Sequence, residues 1–145
     1  MNNAGLASYN LEEYEEARRY YAESLLINKE GEHEEKLKDK ADFLQNLGTT
    51  NHQLKKFDDA LSNFHESIKF KKEISDKSGI AWTYGSIALL YVMQDDFQRA
   101  FEIRLQALEI YEQLEDTQNI IFTRGKLSEL YKLKGDLQKF RVLSQ

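Results

Sequence analysis

The chain has 145 residues, no cysteine, no proline, and 20 Lys plus Arg against 25 Asp plus Glu, a net charge of −5. Without thiols there are no disulfides, cysteine nucleophiles or thiolate metal centres, and an acidic chain with no segregated basic patch argues against a phosphate backbone as partner. No apolar run approaches the ~18 residues of a membrane span, and Met1-Asn2-Asn3 does not open a basic-then-apolar leader, so the expected setting is cytoplasmic.

Taken in order, residues 1–9 are expected to be the surviving end of a first helix, turned by Asn10-Leu11-Glu12 into a second over about 12–30. That second helix places Tyr14, Ala17, Tyr21, Ser24 and Leu25 on one face, and Glu12, Glu13, Glu15 and Glu16 crowd its first turn, where the helix dipole favours carboxylates. The segment from Gly31 to Lys40 reads as a loop, with His33 in it, running into an early helix start. A third helix follows over about 35–54, and a fourth from Phe57 to about Ser75. Asp76-Lys77-Ser78-Gly79 is the clearest turn, with Ser78 the expected N-cap of a fifth helix that reaches Met93. Gln94-Asp95-Asp96 turns the chain into a sixth helix ending near Glu115, and Asp116 or Thr117 caps a seventh that reaches about Lys134. Gly135-Asp136 is expected to close that turn, leaving an eighth helix cut short by the end of the chain.

The helices are copies of one another. In the sixth, Phe97, Ala100, Phe101, Ala107, Leu108, Tyr111 and Leu114 recur at helical spacing, and Tyr84, Ile87, Ala88 and Tyr91 do the same in the fifth, so the two stripes face each other as a hairpin. Ala17, Ala60, Ala100 and Phe140 each stand three residues after a large apolar residue and are spaced 43, 40 and 40 apart. Seven residues after the first three come Ser24, Ser67 and Ala107. A fixed period of this length is the signature of stacked repeats, in which each hairpin covers the open face of the next.

These residues resemble the tetratricopeptide repeat, which asks for a large residue at position 4, apolar then small at 7 and 8, large at 11, small at 20, aromatic at 24 and small at 27. Leu44, Leu47, Gly48, Ala60, Phe64 and Ser67 supply this in one repeat, with Asn51 departing at 11. Tyr84, Ile87, Ala88, Tyr91, Ala100 and Ala107 supply it in the next, with Arg104 departing at 24. The resemblance divides the chain into repeats at 1–40, 41–80, 81–120 and 121–145, truncated at both ends, and implies an all-α, right-handed α-solenoid of antiparallel hairpins. The period of 40 and the lack of proline are similar to the variant found in kinesin light chains and in many bacterial regulators.

The resemblance also implies a ligand surface, since family members line their concave face with fixed positions of each first helix. Carried over, these are Gln45, Asn46, Thr49, His52 and Gln53, then Trp82, Ser86, Leu89, Val92 and Met93, then Phe122, Lys126, Glu129 and Lys132. An amide such as Asn46 can pair with an extended peptide backbone. Trp82 reads first as a packing residue and second as an aromatic groove anchor. The lysine and asparagine of the family's chaperone-tail clamp are replaced by Gln45 and Thr49, then by Gly85 and Leu89, which places that ligand class in doubt.

Catalytic chemistry finds no foothold. His33, His52 and His65 are too scattered for a metal set, and no nucleophile elbow or phosphate loop occurs. Asp58-Asp59 and Asp95-Asp96 stand at helix starts and read as caps, and Lys69, Lys71 and Lys72 read as a solvated helix end that complements the dipole. The expected function is therefore a non-enzymatic scaffold, without cofactor or metal, that holds a peptide or helical segment of a protein partner. The alternatives are a self-associating architectural module, motivated by Phe140 and Leu143 at an open end, and the regulatory segment of a larger bacterial signalling protein.

Overall fold

In a computed structural model, residues 32–143 are described, with side chains from 33 to 135, together with Glu13, Glu16 and Arg19, which are helical and exposed. The remainder of the first repeat, including the anchor Ala17, and the side chains of Phe140 and Leu143 lie outside the described residues. Within residues 32–143 five helices follow one another: α1 Glu32–Gln53, α2 Phe57–Glu73, α3 Lys77–Met93, α4 Phe97–Gln113 and α5 Thr117–Leu143. His33 belongs to the first turn of α1 rather than to a loop.

The connections share one geometry. Lys55, Ser75, Asp95 and Glu115, at intervals of 20 residues, each hold a left-handed backbone with φ between 54° and 59°. The amide after each donates to a carbonyl five residues back: Lys56 to Asn51, Asp76 to Lys71, Asp96 to Tyr91 and Asp116 to Tyr111, at 2.8–3.0 Å. This is the Schellman ending, which satisfies the last carbonyls of the outgoing helix. Carboxylates then cap three of the incoming helices, as Asp76, Asp96 and Asp116 accept from the amides of Gly79, Arg99 and Asn119 at 3.0–3.2 Å. The cap of α3 is thus Asp76 and not Ser78, because the helix begins at Lys77 and Ser78 already lies inside it. Lys56, ahead of α2, makes no side-chain cap, so Asp58 and Asp59 act through the dipole of the first turn, whereas Asp95 forms the turn and Asp96 the cap.

The next 20-residue step falls on Gly135, the residue best suited to the left-handed state, yet α5 runs through it without a turn. Glycine permits that conformation but does not impose it. At the four real turns, non-glycine residues adopt it, and the Schellman hydrogen bond that follows each holds it in place. The expected turn at Gly135-Asp136 is therefore replaced by a continuous helix to Leu143.

The chain forms two compact units, Met1–Gly79 and Ile80–Gln145. In the first, α1 and α2 close on a core of Phe43, Leu44, Leu47, Ala60, Phe64 and Ile68. Phe64 is wholly buried, and a Cβ on Gly48 would stand 2.5 Å from its ring, so glycine at that position is what lets the ring enter. Ser67 Oγ donates to the Ala41 carbonyl at 2.7 Å, and Asn51 bonds Asn63 across the hairpin at 2.7 Å.

In the second unit, Ala88 of α3, Ala100 of α4 and Leu130 of α5 meet in one cluster, and Ala81, Ala107 and Tyr111 form another. The anchors Ala60 and Ala100 are both fully buried, as the repeat requires. Leu114 is the exception on the α4 stripe: it caps the helix C-terminus and is 42% exposed.

Candidate functional site

The two units treat their groove positions differently. In the first, Gln45 is buried and its side-chain oxygen accepts from Lys71 Nζ at 3.1 Å. Lys71 itself is only 4% exposed and lies 3.5 Å from the Gly79 carbonyl. Burial lowers its pKa, and the charges of Asp42 and Asp76 oppose that shift. The expected solvated lysine end is therefore corrected: Lys71 turns inward because Gln45, the Gly79 carbonyl and two carboxylates supply polar company there. Thr49 Oγ1 donates to the Gln45 carbonyl at 3.1 Å, and Asn46 and His52 are half-buried.

In the second unit an open cleft of about 100 Å³ lies between α3, α4 and α5. Trp82, Ser86 and Leu89 of α3 form one wall and Phe122 of α5 the other. Trp82 is 60% exposed and Phe122 51%, so the tryptophan is not a packing residue. Arg104, Ala107 and Tyr111 of α4 form the floor. A second cleft adjoins it, lined by Val92, Lys126, Glu129 and Leu133, and both clefts share Leu89 and Arg104. Lys126 pairs with Glu129 at 3.4 Å and sits 5.5 Å from the centre of the Phe122 ring.

Among the expected surface residues, Trp82, Ser86, Leu89, Lys126 and Glu129 thus line the two adjoining clefts, whereas Met93, 46% exposed, lines neither. Gln45 is engaged inside the first hairpin. Gly85 and Arg104 were not among the expected ligand residues. Their signal was present in the sequence: a long cation stands where an aromatic is asked for, and a glycine on the facing helix makes room for it. A Cβ on Gly85 would lie 3.1 Å from Arg104 Nη1. Among the described residues no three His, Cys, Asp or Glu side chains cluster as metal ligands, and no helix is long and apolar enough to cross a membrane.

Short antiparallel helices joined by identical turns at a fixed step define a helical-repeat protein of the α-solenoid class. Family models described as tetratricopeptide repeat match residues 1–73 and 80–117, the first alone covering just over half of the chain. The chain belongs to the tetratricopeptide repeat family. No curated protein matches it. Among solved structures, the crystal structure of BtubC (BKLC) from P. vanneervenii is similar at 27% identity with a TM-score of 0.61, over 88% of this chain and 52% of that one. The chain therefore spans about half the length of that relative. Tetratricopeptide repeats mediate protein–protein interactions, and the family is typically a non-catalytic scaffold.

Proposed function

We propose that this chain is an interaction module that captures a peptide segment of a partner protein in the α3–α4–α5 cleft. The observation that supports the reading is the cleft wall itself. Trp82, Leu89 and Phe122 are large apolar side chains, each between 44% and 60% exposed, standing around one concavity. Exposed aromatic residues around a concave floor are the usual anchors of a binding hot spot.

Trp82 is the sole tryptophan, so its fluorescence reports on the cleft directly. Titrated peptides that bind should shift that emission, and Leu89→Glu should abolish the shift while leaving helicity unchanged by circular dichroism. Binding that survives Leu89→Glu undiminished sinks the assignment. Self-association is the second reading, supported by Ile121 and Tyr131 on α5, 66% and 74% exposed. Light scattering at several concentrations separates the two, since a strict monomer removes the second.

A further inference from the structure

The cleft floor holds a charge that apolar docking leaves unanswered. Arg104 is 6% exposed on α4 and lines both adjoining clefts. Among the described residues, none forms an ion pair or a side-chain hydrogen bond with it. The charges that act on it from farther off are those of Tyr111 and Glu129. Tyr111 is neutral near pH 7, its pKa raised chiefly by burial, and Glu129 is already paired with Lys126. Desolvation at the cleft floor disfavours the charge of the guanidinium, whose nitrogens still reach the cleft solvent, and the same repeat position one unit earlier is filled by an apolar ring, Phe64.

We infer, resting on the cleft reading above, that the captured segment carries one internal acidic side chain whose carboxylate pairs with Arg104, next to a large apolar side chain lodged between Trp82 and Phe122. The fork of donors on arginine suits a carboxylate held side-on. Because the two clefts meet at Leu89 and Arg104, the bound segment continues past the guanidinium on both sides, which makes the acid an internal residue and not a chain end. A net charge of −5 disfavours a longer acidic run, so the partner supplies a single carboxylate at this point.

The test uses a library of 12-residue peptides displayed with both ends joined to the carrier, selected on the full chain and on Arg104→Met. The wild type should enrich one Asp or Glu at a fixed distance from a bulky apolar residue, and Arg104→Met should keep the apolar preference and lose the acid. A selected sequence is then made as an acetylated, amidated peptide, together with its Glu→Gln form, and titrated against Trp82 fluorescence. Glu→Gln should weaken binding to wild type ~30-fold or more and have little further effect on Arg104→Met. Gly85→Ala, which keeps the charge but crowds Nη1, should weaken the acidic peptide and spare the Gln form. Equal loss on both proteins, no acidic enrichment, or enrichment only in a parallel library with free C-termini overturns the inference. If the apolar preference persists in those cases and Leu89→Glu still abolishes it, the cleft reading survives alone. Recovery of no cleft-dependent peptide overturns both.

Discussion

Gln45, Phe64 and Lys71 of the α1–α2 hairpin stand 40 residues before Gly85, Arg104 and Tyr111 of the α3–α4 hairpin, and the two triplets behave in opposite ways. In the first, the aromatic fills the interior and the lysine is bonded to the glutamine. In the second, glycine removes the side chain above, arginine replaces the aromatic, and a cleft opens over a charge with no ion-pair partner among the described residues. The same three repeat positions thus accompany a filled interior in one hairpin and an open cleft in the other.

The sharpest way to break that comparison is to truncate both position-24 residues. Phe64→Ala removes a fully buried ring and should cost about 3–5 kcal/mol in urea unfolding. Arg104→Met should leave stability within about 1 kcal/mol of wild type or above it, because it exchanges an unpaired buried charge for an apolar chain of similar length. Equal destabilisation by the two variants would show that Arg104 is a structural residue after all. Next in size is Lys71→Met, which leaves Gln45 Oε1 without that donor. It should cost about 1–3 kcal/mol, against little for the equivalent Tyr111→Phe, whose hydroxyl makes no hydrogen bond among the described residues.

The caps offer a smaller contrast. Asp96 accepts the Arg99 amide at 3.1 Å ahead of α4, whereas Lys56 at the same repeat position ahead of α2 caps nothing. Asp96→Ala should lower stability by about 1 kcal/mol and Lys56→Asp should raise it by a similar amount, as measured by thermal melts. A Lys56→Asp variant that fails to gain would mean that another group already serves the start of α2.

Much of this architecture is readable along the chain because periodicity is a local property. Ala60 and Ala100 announce the buried face, and the helix boundaries follow from the turns between them. The fate of Lys71 is not local. Three lysines at a helix end look solvated until Gln45, from another helix, is seen to meet the middle one. Gly135 misleads for a related reason: turn propensity is a property of the residue, but a turn needs a following helix that packs back. The cleft was half legible. Trp82 and Leu89 come from the repeat register, while Arg104 was visible only as a departure whose meaning depends on the empty space above Gly85.

The least costly separation of the two units uses acid. His52 of α1 stands where the α3 helix has Val92, so an imidazole titrates at this position in the first unit and nothing titrates at its counterpart in the second. Burial lowers the His52 pKa below the usual 6.5, so the unfolded chain takes up a proton first as pH falls. Its contribution to stability is therefore present in full above pH 6.5 and is lost as pH drops through the folded value. Asp42, on the same helix, acts in the opposite sense. Partial desolvation, opposed by the charges of Lys71 and Lys38, raises its pKa although the residue is largely exposed, so its contribution is present at low pH and lost as pH rises through the raised value. Melts of the wild type between pH 7 and about 5 should therefore show a decline that His52→Gln flattens. Val92→His should create a comparable acid-sensitive decline if the second unit buries that position as the first does. An unchanged slope in His52→Gln would place the acid-labile group elsewhere in the chain.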